Sequence, residues 1–538
     1  MTALLLAFTL GGGASLLLEG LVRPRVTPCW QRPPATLLVH LGTWCLLYAA
    51  YLLVVQRPWF ATAFILSLQL VLLQSHHVKW HSLKEPFLAQ DFAYFLDAMR
   101  HPRLYVPFFG IGLAIGASLA GAFAIAAFLW LEPWWLDDVG TKAALLSVAA
   151  LTVAGIGLMV AGLRRLPAIT LRPAEDLVAL GLYAYLWSYA RRLKQPLDER
   201  RSPQEFRTPP TVNRDGLPHV VAVQSESFFD PRRWSDAVCP DVLPHWDRLK
   251  ATSLSHGPLT VPAWGANTVR TEAAFLSGLT PEGLGIHQFS PYARFSLQPP
   301  PNLLRAVKQW GYRCVAIHPY PASFYQRDRV LPALGIDEFL DIGDFDDCEK
   351  DGQYIGDAAL AERVCRLLDT ADDQPLFILV ITMENHGPLN LEPPRKEDWK
   401  RLARDVDCDS ERARFDDLAV YLRHLGNADA MLGAVSQRLA QETRGGLLCW
   451  YGDHVPIMDK AYGHLGDPAG TTDYLIWSTQ RSRPPRCPLQ RHVAELGVEL
   501  LQQIVEYTQP CSPSRQDVVN NTPKDTSVAP RRHSQEQA

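Results

Sequence analysis

The stretch "HVVAVQS", residues 219–225, decides how the second half of this 538-residue chain folds. It is a short and almost uninterrupted apolar run, which is typical of a strand buried on both faces of a sheet. Similar runs recur after helical stretches, at "CVAIH" (314–318), "PLFILVITM" (375–383) and "GLLCWYG" (446–452). Strands that alternate with helices predict an α/β domain with a mainly parallel central sheet.

Each of these four predicted strands ends just before residues that can carry chemistry. Ligands of open α/β sheets bind beyond the carboxyl ends of the strands, so we expect these residues at one edge. In strand order they are Glu226; then His318, Tyr325 and Arg327; then Glu384, Asn385 and His386; and finally Asp453 and His454. Any single one of them is ordinarily a solvated or capping loop residue, but their recurrence at four strand ends indicates a functional site.

The residue types at these strand ends suit a divalent metal ion. Glu226, Asp453 and His454 make a ligand set with an open position, and carboxylates with imidazole bind zinc, manganese or magnesium. The histidines and the arginine after the other two strands suit charge stabilisation on a phosphate, or acid catalysis at a leaving oxygen.

Two threonines stand in the stretch "WGANTVRTEAAF" (264–275). A free threonine hydroxyl is a poor nucleophile, and in an ordinary helix start Thr268 would be the N-cap and Thr271 an early helical residue. A metal near the hydroxyl would lower its pKa and supply the missing activation, and a helix N-terminus favours a phosphorylated product. The residues by themselves do not choose between Thr268 and Thr271.

The first 165 residues differ sharply from the rest and predict a membrane part. Apolar runs long enough to cross a bilayer, which takes about 20 residues, lie at about 3–21, 36–55, 58–74, 104–131 and 143–163. Buried core helices are the alternative, but five such runs within 165 residues favour membrane spans. The first run lacks a basic segment before it, so it does not match a cleavable signal peptide.

The side of the membrane on which the second half lies is open at this stage. "DLVALGLYAYLWSYA" (176–190) is either a short sixth span or an interfacial helix lying on the membrane. Five spans with the N-terminus inside, or six with it outside, both place the second half outside. Five spans with the N-terminus outside would place it in the cytoplasm. The positive-inside tendency disfavours five spans with the N-terminus inside, because the basic residues of the loops would then face outward.

Composition sets the outline of the chain. Net charge is −4 with 20% charged residues, so no basic excess points to nucleic acid, and we expect no such partner.

The predicted organisation is a transmembrane domain (1–165), a juxtamembrane helix and linker (166–217), a catalytic α/β domain (218–508) and a disordered polar tail (509–538). The ten cysteines show no metal-binding spacing, and their pairing cannot be read from the sequence.

Five short motifs in order resemble one family. "SESF", "GANTVRTEAAFLSGL", "FYQRD", "NHGP" and "YGDH" are similar in order and spacing to motifs of the lipoteichoic acid synthase family. Its members are phosphoglycerol transferases of the alkaline phosphatase and sulfatase superfamily. The resemblance covers about residues 218–480, and the multi-span first part followed by "LGLYAYLWSYA" is similar to that family's membrane part.

The resemblance implies a metal-dependent mechanism. Glu226, Asp453 and His454 would hold the metal, with manganese favoured and magnesium or zinc as alternatives. Thr268 would be both a further ligand and the nucleophile, forming a phospho-threonine intermediate. The resemblance therefore decides between the two threonines.

The resemblance also implies the substrates and the location. His386 would bind the transferred phosphate or the leaving group, while Tyr325, Arg327 and His318 would contact the glycerol phosphate head group. The donor would be a phospholipid such as phosphatidylglycerol, and the acceptor an extracytoplasmic glycan or glycerol phosphate polymer. The chain would be a multi-pass protein of the cytoplasmic (inner) membrane, with its catalytic domain on the outer, periplasmic side.

Two residues depart from the family's pattern. Arg270 stands where an acidic residue is usual, and Asn267 replaces a basic residue before the nucleophile. The alternatives are a phosphoethanolamine transferase, or a phosphodiesterase or sulfuric ester hydrolase on the same fold, or an inactive scaffolding module. The arylsulfatase alternative is disfavoured because no C/S-x-P-x-R box lies near residue 268.

Overall fold

The structure, a computed structural model, describes residues 1–93, 95, 111–403, 409–480 and 487–509. Its first part is helical, with helices α1 to α6 at Thr2–Leu18, Pro34–Val55, Pro58–Leu83, Ile111–Leu131, Trp135–Val139 and Thr141–Arg165. Within the described residues, five helical segments are long and apolar enough to cross a membrane: Thr2–Leu21, Pro34–Val55, Pro58–Leu83, Leu119–Val139 and Thr141–Arg165. The prediction of five apolar helices is confirmed, while residues 104–110 of the fourth predicted span lie outside the described residues.

The third helix is longer than the sequence predicted. α3 continues to Leu83 instead of ending near residue 74, because polar residues end a run of high hydropathy without ending a helix. His76 and Lys79, in this extension, are both buried. One side of the last turns of α3 therefore packs against protein.

Residues 176–190 form neither a sixth span nor one continuous interfacial helix. Helices α7 (Pro173–Leu180) and α8 (Leu182–Ala190) are separated at Gly181, whose φ is +76°. A Cβ there would collide with the Arg32 guanidinium, so glycine allows this close approach. Neither helix reaches the length of about 20 residues that a span requires. Both pack in one apolar cluster with residues of the membrane helices and of the second half.

The second half is built on an eight-stranded sheet in the order β10-β2-β9-β8-β1-β7-β3-β4, with β5 and β6 forming a separate hairpin. The strands β1 to β10 are His219–Ser225, Ser255–Thr260, Arg313–Ile317, Glu338–Leu340, Lys350–Asp351, Tyr354–Ile355, Leu376–Ile381, Gly446–Gly452, Thr472–Ser478 and Arg491–His492. Only β9 runs antiparallel to its neighbours in the eight-stranded sheet. The mainly parallel sheet predicted from the sequence is confirmed.

The four predicted strands are the adjacent central strands β8, β1, β7 and β3. In register, Ala222 of β1 pairs with Leu379 of β7 and with Cys449 of β8. Successive β1 residues face opposite layers, so Val220 joins one apolar core and Val221 the other. Burial on both faces explains the uninterrupted apolar run, and parallel pairing brings the carboxyl ends of these strands to one edge.

Helices cover both faces of the sheet. Helices α9 to α19 are Gln204–Arg207, Pro244–Lys250, Thr268–Ser277, Pro281–Leu284, Pro291–Phe295, Leu303–Gln309, Arg327–Leu334, Asp357–Asp369, Asp409–Leu439, Asp459–Leu465 and Val493–Tyr507. Helices α11, α14 and α19 pack together on one face, while α10, α16 and α17 pack on the other. The tail predicted to be disordered lies beyond Gln509, outside the described residues.

The last helix, α19, packs against α11. A Cβ added to Gly497 of α19 would lie 2.1 Å from the carbonyl oxygen of Phe275 in α11. Only a residue without a side chain allows the two backbones to approach this closely. Helix α11, which begins at Thr268, is therefore held between the sheet and α19.

Candidate metal centre and active site

Glu226, Asp453 and His454 lie together at the carboxyl edge of the sheet. Glu226 follows β1 and the other two follow β8, and these parallel neighbours end in register at the pair Ser225 and Gly452. The candidate ligand atoms of the three residues all lie within 4.8 Å of one another. His454 Nε2 is 3.4 Å from Glu226 Oε1 and 3.2 Å from Asp453 Oδ2. The structure thus brings together the three residues predicted as metal ligands.

The donor atoms of this cluster fit a divalent cation. His454 Nδ1 donates to the Val455 carbonyl at 3.1 Å, which leaves the lone pair on Nε2. Within the described part of the chain, neither that Nε2 nor Asp453 Oδ2 has a hydrogen-bond partner. Burial and the Asp453 carboxylate raise the pKa of Glu226 to about 8. Because two buried carboxylates repel each other without a counter-charge, a cation that takes two oxygens and one nitrogen would complete the cluster.

Helix α11 presents two threonines on one face. Thr268 is its first residue, and Asn267, in the left-handed region with φ +68°, is the N-cap in place of the threonine. The Thr271 hydroxyl donates to the Asp453 carbonyl oxygen at 2.7 Å, which ties α11 to the ligand segment. Residues three apart lie on the same helix face, so Thr268 lies one turn nearer the helix N-terminus on the side of Asp453.

Arg327 and His318 lie together, but their polar atoms are committed to other protein groups. The Arg327 guanidinium is 1% exposed and donates to Glu272 Oε2 at 2.8 Å and to His318 Nε2 at 3.0 Å. His318 Nδ1 donates to the Ile381 carbonyl at 3.0 Å, and burial and Arg327 lower the pKa of this histidine well below its ordinary value. A neutral His318 can therefore accept from Arg327. This chain of contacts braces Glu272, and with it α11, against the ends of β3 and β7.

Tyr325 and His386 line a cavity next to the cluster. Tyr325 has a positive φ of 57°, and the Arg327 guanidinium carbon lies 5.5 Å from its ring centroid. His386 Nδ1 donates to the Gly387 carbonyl at 2.7 Å, which leaves the lone pair on Nε2. Burial lowers the pKa of His386, so its imidazole is neutral near pH 7 and its Nε2 can accept a proton.

A buried polar network holds the loop that carries His386. Glu384 Oε1 accepts from His424 Nδ1 at 2.7 Å and from Asn427 Nδ2 at 2.6 Å, while Oε2 accepts from the Asp357 amide at 2.5 Å. The position of Glu384 after a strand was visible in the sequence, but no role for it and none of the other residues of this network were predicted. No motif marks them, because His424 and Asn427 fall within the long amphipathic helix α17.

The His424 contacts predict a pH-dependent stability. Hydrogen bonds to Glu384 and Glu392 outweigh burial and raise the His424 pKa to about 9. A raised pKa stabilises the fold fully below the unfolded value of about 6.5, and this contribution is lost as the pH rises through about 9. At about 1.4 kcal/mol per pKa unit, the contribution is about 3 kcal/mol. We expect Tm to fall between pH 7 and pH 10 more steeply in the wild type than in His424→Gln, and parallel Tm profiles would contradict this role.

A cavity of about 190 Å³ lies between α3 and the candidate site. Apolar side chains line most of it. On the α3 side its wall includes Val78, Lys79, Ser82, Leu83 and Phe87, and on the other side Ser227, Asn267, Tyr325, His386 and Ile457. Ser227 is adjacent to Glu226 and Asn267 to Thr268, so the cavity joins the end of an apolar membrane helix to the candidate metal centre.

The described residues define a membrane protein that carries an α/β domain with a candidate metal centre. The family model "Sulfatase" matches residues 218–509, more than half of the chain, and the chain belongs to this family. The superfamily membership predicted from the motifs is therefore confirmed. The fold is that of a sulfatase-superfamily transferase or hydrolase, which supports an enzymatic role.

The chain is similar to a capsular polysaccharide biosynthesis protein, a phosphoglycerol transferase and a lipoteichoic acid synthase. The capsular polysaccharide biosynthesis protein RkpI of Rhizobium meliloti (strain 1021) is 27% identical over 464 residues, covering 83% of this chain and 82% of RkpI. The Streptococcus pyogenes phosphoglycerol transferase GacH in complex with sn-glycerol-1-phosphate has a TM-score of 0.43 and 21% identity, covering 60% of this chain and 86% of that one. The Listeria monocytogenes lipoteichoic acid synthase LtaP has a TM-score of 0.42 and 20% identity, covering 54% and 72%.

Proposed function

We propose that the protein is a membrane-anchored, metal-dependent transferase that moves phosphoglycerol from phosphatidylglycerol to an extracytoplasmic glycan or polymer. The observation that carries this proposal is the cavity between α3 and the candidate metal centre. A largely apolar cavity beside a membrane helix suits the glycerol and acyl part of a lipid, whereas a soluble sulfate ester needs no such lining. The ordered motifs around Thr268 favour phosphoglycerol as the transferred group.

The proposed organisation follows from this substrate. Residues 1–165 anchor the chain in the cytoplasmic membrane, residues 166–217 connect, and residues 218–508 form the catalytic domain outside. Because a phospholipid head group lies at the membrane surface, the carboxyl edge of the sheet must face that surface. The cavity wall formed by α3 is consistent with this orientation.

Glu226, Asp453, His454 and Thr268 are the residues proposed to hold a divalent cation, with Mn²⁺ favoured and Mg²⁺ or Zn²⁺ as alternatives. When bound, such an ion lowers the pKa of a coordinated hydroxyl and offsets charge on a phosphoryl group. The buried surroundings of the cluster exclude water, which strengthens electrostatic interactions at the reacting phosphate.

The reaction proceeds in two displacements at phosphorus. In the first, Thr268 Oγ attacks the donor phosphorus, the bond to the diacylglycerol oxygen breaks, and phosphoglycerol remains on the threonine. The threonine proton ends on the diacylglycerol oxygen, and His386 carries it through Nε2. In the second, an acceptor hydroxyl attacks the same phosphorus, the bond to Thr268 breaks, and the acceptor proton returns to the threonine oxygen by the same histidine.

The residues predicted to contact the head group divide into two roles in this proposal. Tyr325, on the cavity wall, contacts the glycerol phosphate. Arg327 and His318 do not contact the head group, because their polar atoms are hydrogen-bonded to other protein groups. They instead hold Glu272, and with it helix α11, in position. The acceptor is proposed to be a glycan, which the similarity to a capsular polysaccharide biosynthesis protein supports.

A donor assay tests the proposal. Purified full-length protein in detergent or proteoliposomes, supplied with Mn²⁺, is given labelled phosphatidylglycerol or labelled phosphatidylethanolamine separately. We expect diacylglycerol release from phosphatidylglycerol, together with label retained on the denatured protein. Thr268→Ala serves as the matched control and should release none.

The outcomes separate the alternatives. Release from phosphatidylethanolamine alone would identify a phosphoethanolamine transferase and reject the phosphoglycerol proposal. Release of free glycerol phosphate with no gain when polysaccharide is added would identify a phosphodiesterase. Hydrolysis of a sulfate ester without any lipid turnover would identify a sulfuric ester hydrolase.

A further inference from the structure

The end of α3 contacts the loop that leads into Thr268. Gly265 of that loop has φ +67°, and an added Cβ would lie 3.1 Å from the Ser82 carbonyl oxygen. The Lys84 ammonium lies 5.9 Å from the ring centroid of Trp264. Residues from the first part of the chain thus contact the residues just before the candidate nucleophile.

Arg270, two residues after Thr268, is anchored to the same segment. Its NH1 and NH2 donate to Glu85 Oε1 and Oε2, each at 2.9 Å, in a bidentate pair. Its Nε donates to the Phe289 carbonyl at 3.2 Å, and the Phe289 ring lies below the guanidinium. The Arg270 side chain is 5% exposed. Such a geometry fixes a side chain far more tightly than a surface ion pair does.

The Glu85 carboxylate is held by charges from two elements. The Lys79 ammonium of α3 lies 2.8 Å from the Glu85 carboxylate and 2.5 Å from the Asp91 carboxylate. Arg270, Glu85, Lys79 and Asp91 therefore form a continuous series of ion pairs. Arg270 and Lys79 outweigh burial and hold the pKa of Glu85 at about 2. The carboxylate is therefore charged near neutral pH.

The geometry points to Glu85 and Arg270 as positioning residues that hold the first turn of α11, and with it Thr268, against the candidate metal centre. The inference rests on the proposed role of Thr268. It explains the departure at Arg270, where the family resemblance leads one to expect an acidic residue. Its consequence is that the segment after α3 is part of the catalytic machinery and not merely an anchor.

Paired replacement separates positioning from folding. Arg270→Met alone leaves the partly buried Glu85 with only Lys79 as its charged partner, which is expected to lower Tm. The double variant Arg270→Met/Glu85→Gln removes both charges and leaves Lys79 paired with Asp91, so Tm should recover towards the wild-type value. We expect its kcat with phosphatidylglycerol to stay about 10- to 100-fold low, with KM within about threefold, since small misplacement of a reacting group costs this much. Arg270→Lys should recover part of the kcat.

A control and a second measurement make the outcome decisive. Asp467→Asn removes an exposed ion pair between Lys84 and the second half of the chain, and it should change neither kcat nor Tm. Hydrogen exchange of the amides of residues 264–270 should be faster in the double variant than in the wild type or in Asp467→Asn. Wild-type exchange with wild-type kcat in the double variant would overturn the inference. Inactivity of the wild type with every donor would instead reject the proposed function, and the exchange result would still decide the positioning role.

Discussion

Replacement of Thr268 by alanine is expected to abolish lipid turnover, with a loss on the order of 10³-fold or more. The hydroxyl is the proposed nucleophile, and a methyl group can neither attack phosphorus nor hold the transferred group. Label from phosphatidylglycerol should accordingly no longer be retained on the denatured protein. The fold should be intact, because Thr268 begins a helix whose N-cap is Asn267.

Thr271→Ala is the matched control for this replacement. The Thr271 hydroxyl donates to the Asp453 carbonyl at 2.7 Å, and loss of a buried hydrogen bond costs about 1–3 kcal/mol of stability. We therefore expect a lower Tm with only a partial loss of activity and with retained protein labelling. Equal loss in the two variants, or full activity in Thr268→Ala, would reject Thr268 as the nucleophile.

Asp453→Asn is expected to abolish metal binding and activity together. The replacement removes one of two carboxylates from a cluster whose free atoms face one another, and a loss of metal affinity of about 10²-fold or more is expected. In the wild type, metal at 100 times its Kd should stabilise the fold by about 2.7 kcal/mol. The measurements are bound metal by mass spectrometry, and Tm with and without added Mn²⁺ after chelation.

A buried aspartate elsewhere provides the comparison. Asp429 accepts from the amides of His245 and Trp246 and takes no part in the cluster. Asp429→Asn should lower Tm while keeping the Mn²⁺-dependent rise, whereas Asp453→Asn should lose that rise. If Asp453→Asn still binds the metal as the wild type does, the ligand assignment is wrong.

The central sheet and the candidate ligands could be predicted because both depend on short-range patterns. Apolar runs such as residues 219–225 mark strands that are buried on both faces, and parallel pairing then places the residues after them at one edge. Glu226 and Asp453 are far apart in the chain, but each immediately follows a strand that the sequence identifies. Their positions directly after strands were sufficient to predict that they lie close together.

Contacts between elements without such a marker could not be predicted. Glu272 and Arg327 are 55 residues apart, and Glu85 and Arg270 are 185 apart. Neither pair has both residues directly after adjacent parallel strands. Opposite charge alone does not identify a partner, because each residue could pair with many others in the sequence. The break at Gly181 was missed for a related reason, because the need for glycine comes from the approach of Arg32. The burial of Arg327 likewise depends on tertiary packing rather than on its own neighbours.

The close packing of Gly497 against the Phe275 backbone has a consequence for biogenesis. The helix that begins with Thr268 cannot reach its final environment until residues 493–507 have been synthesised, more than two hundred residues later. Until then, the partly folded domain lacks the helix that packs against Phe275 of α11. The order of synthesis therefore delays completion of the packing around α11, which begins at the candidate nucleophile, until the α/β domain is nearly complete.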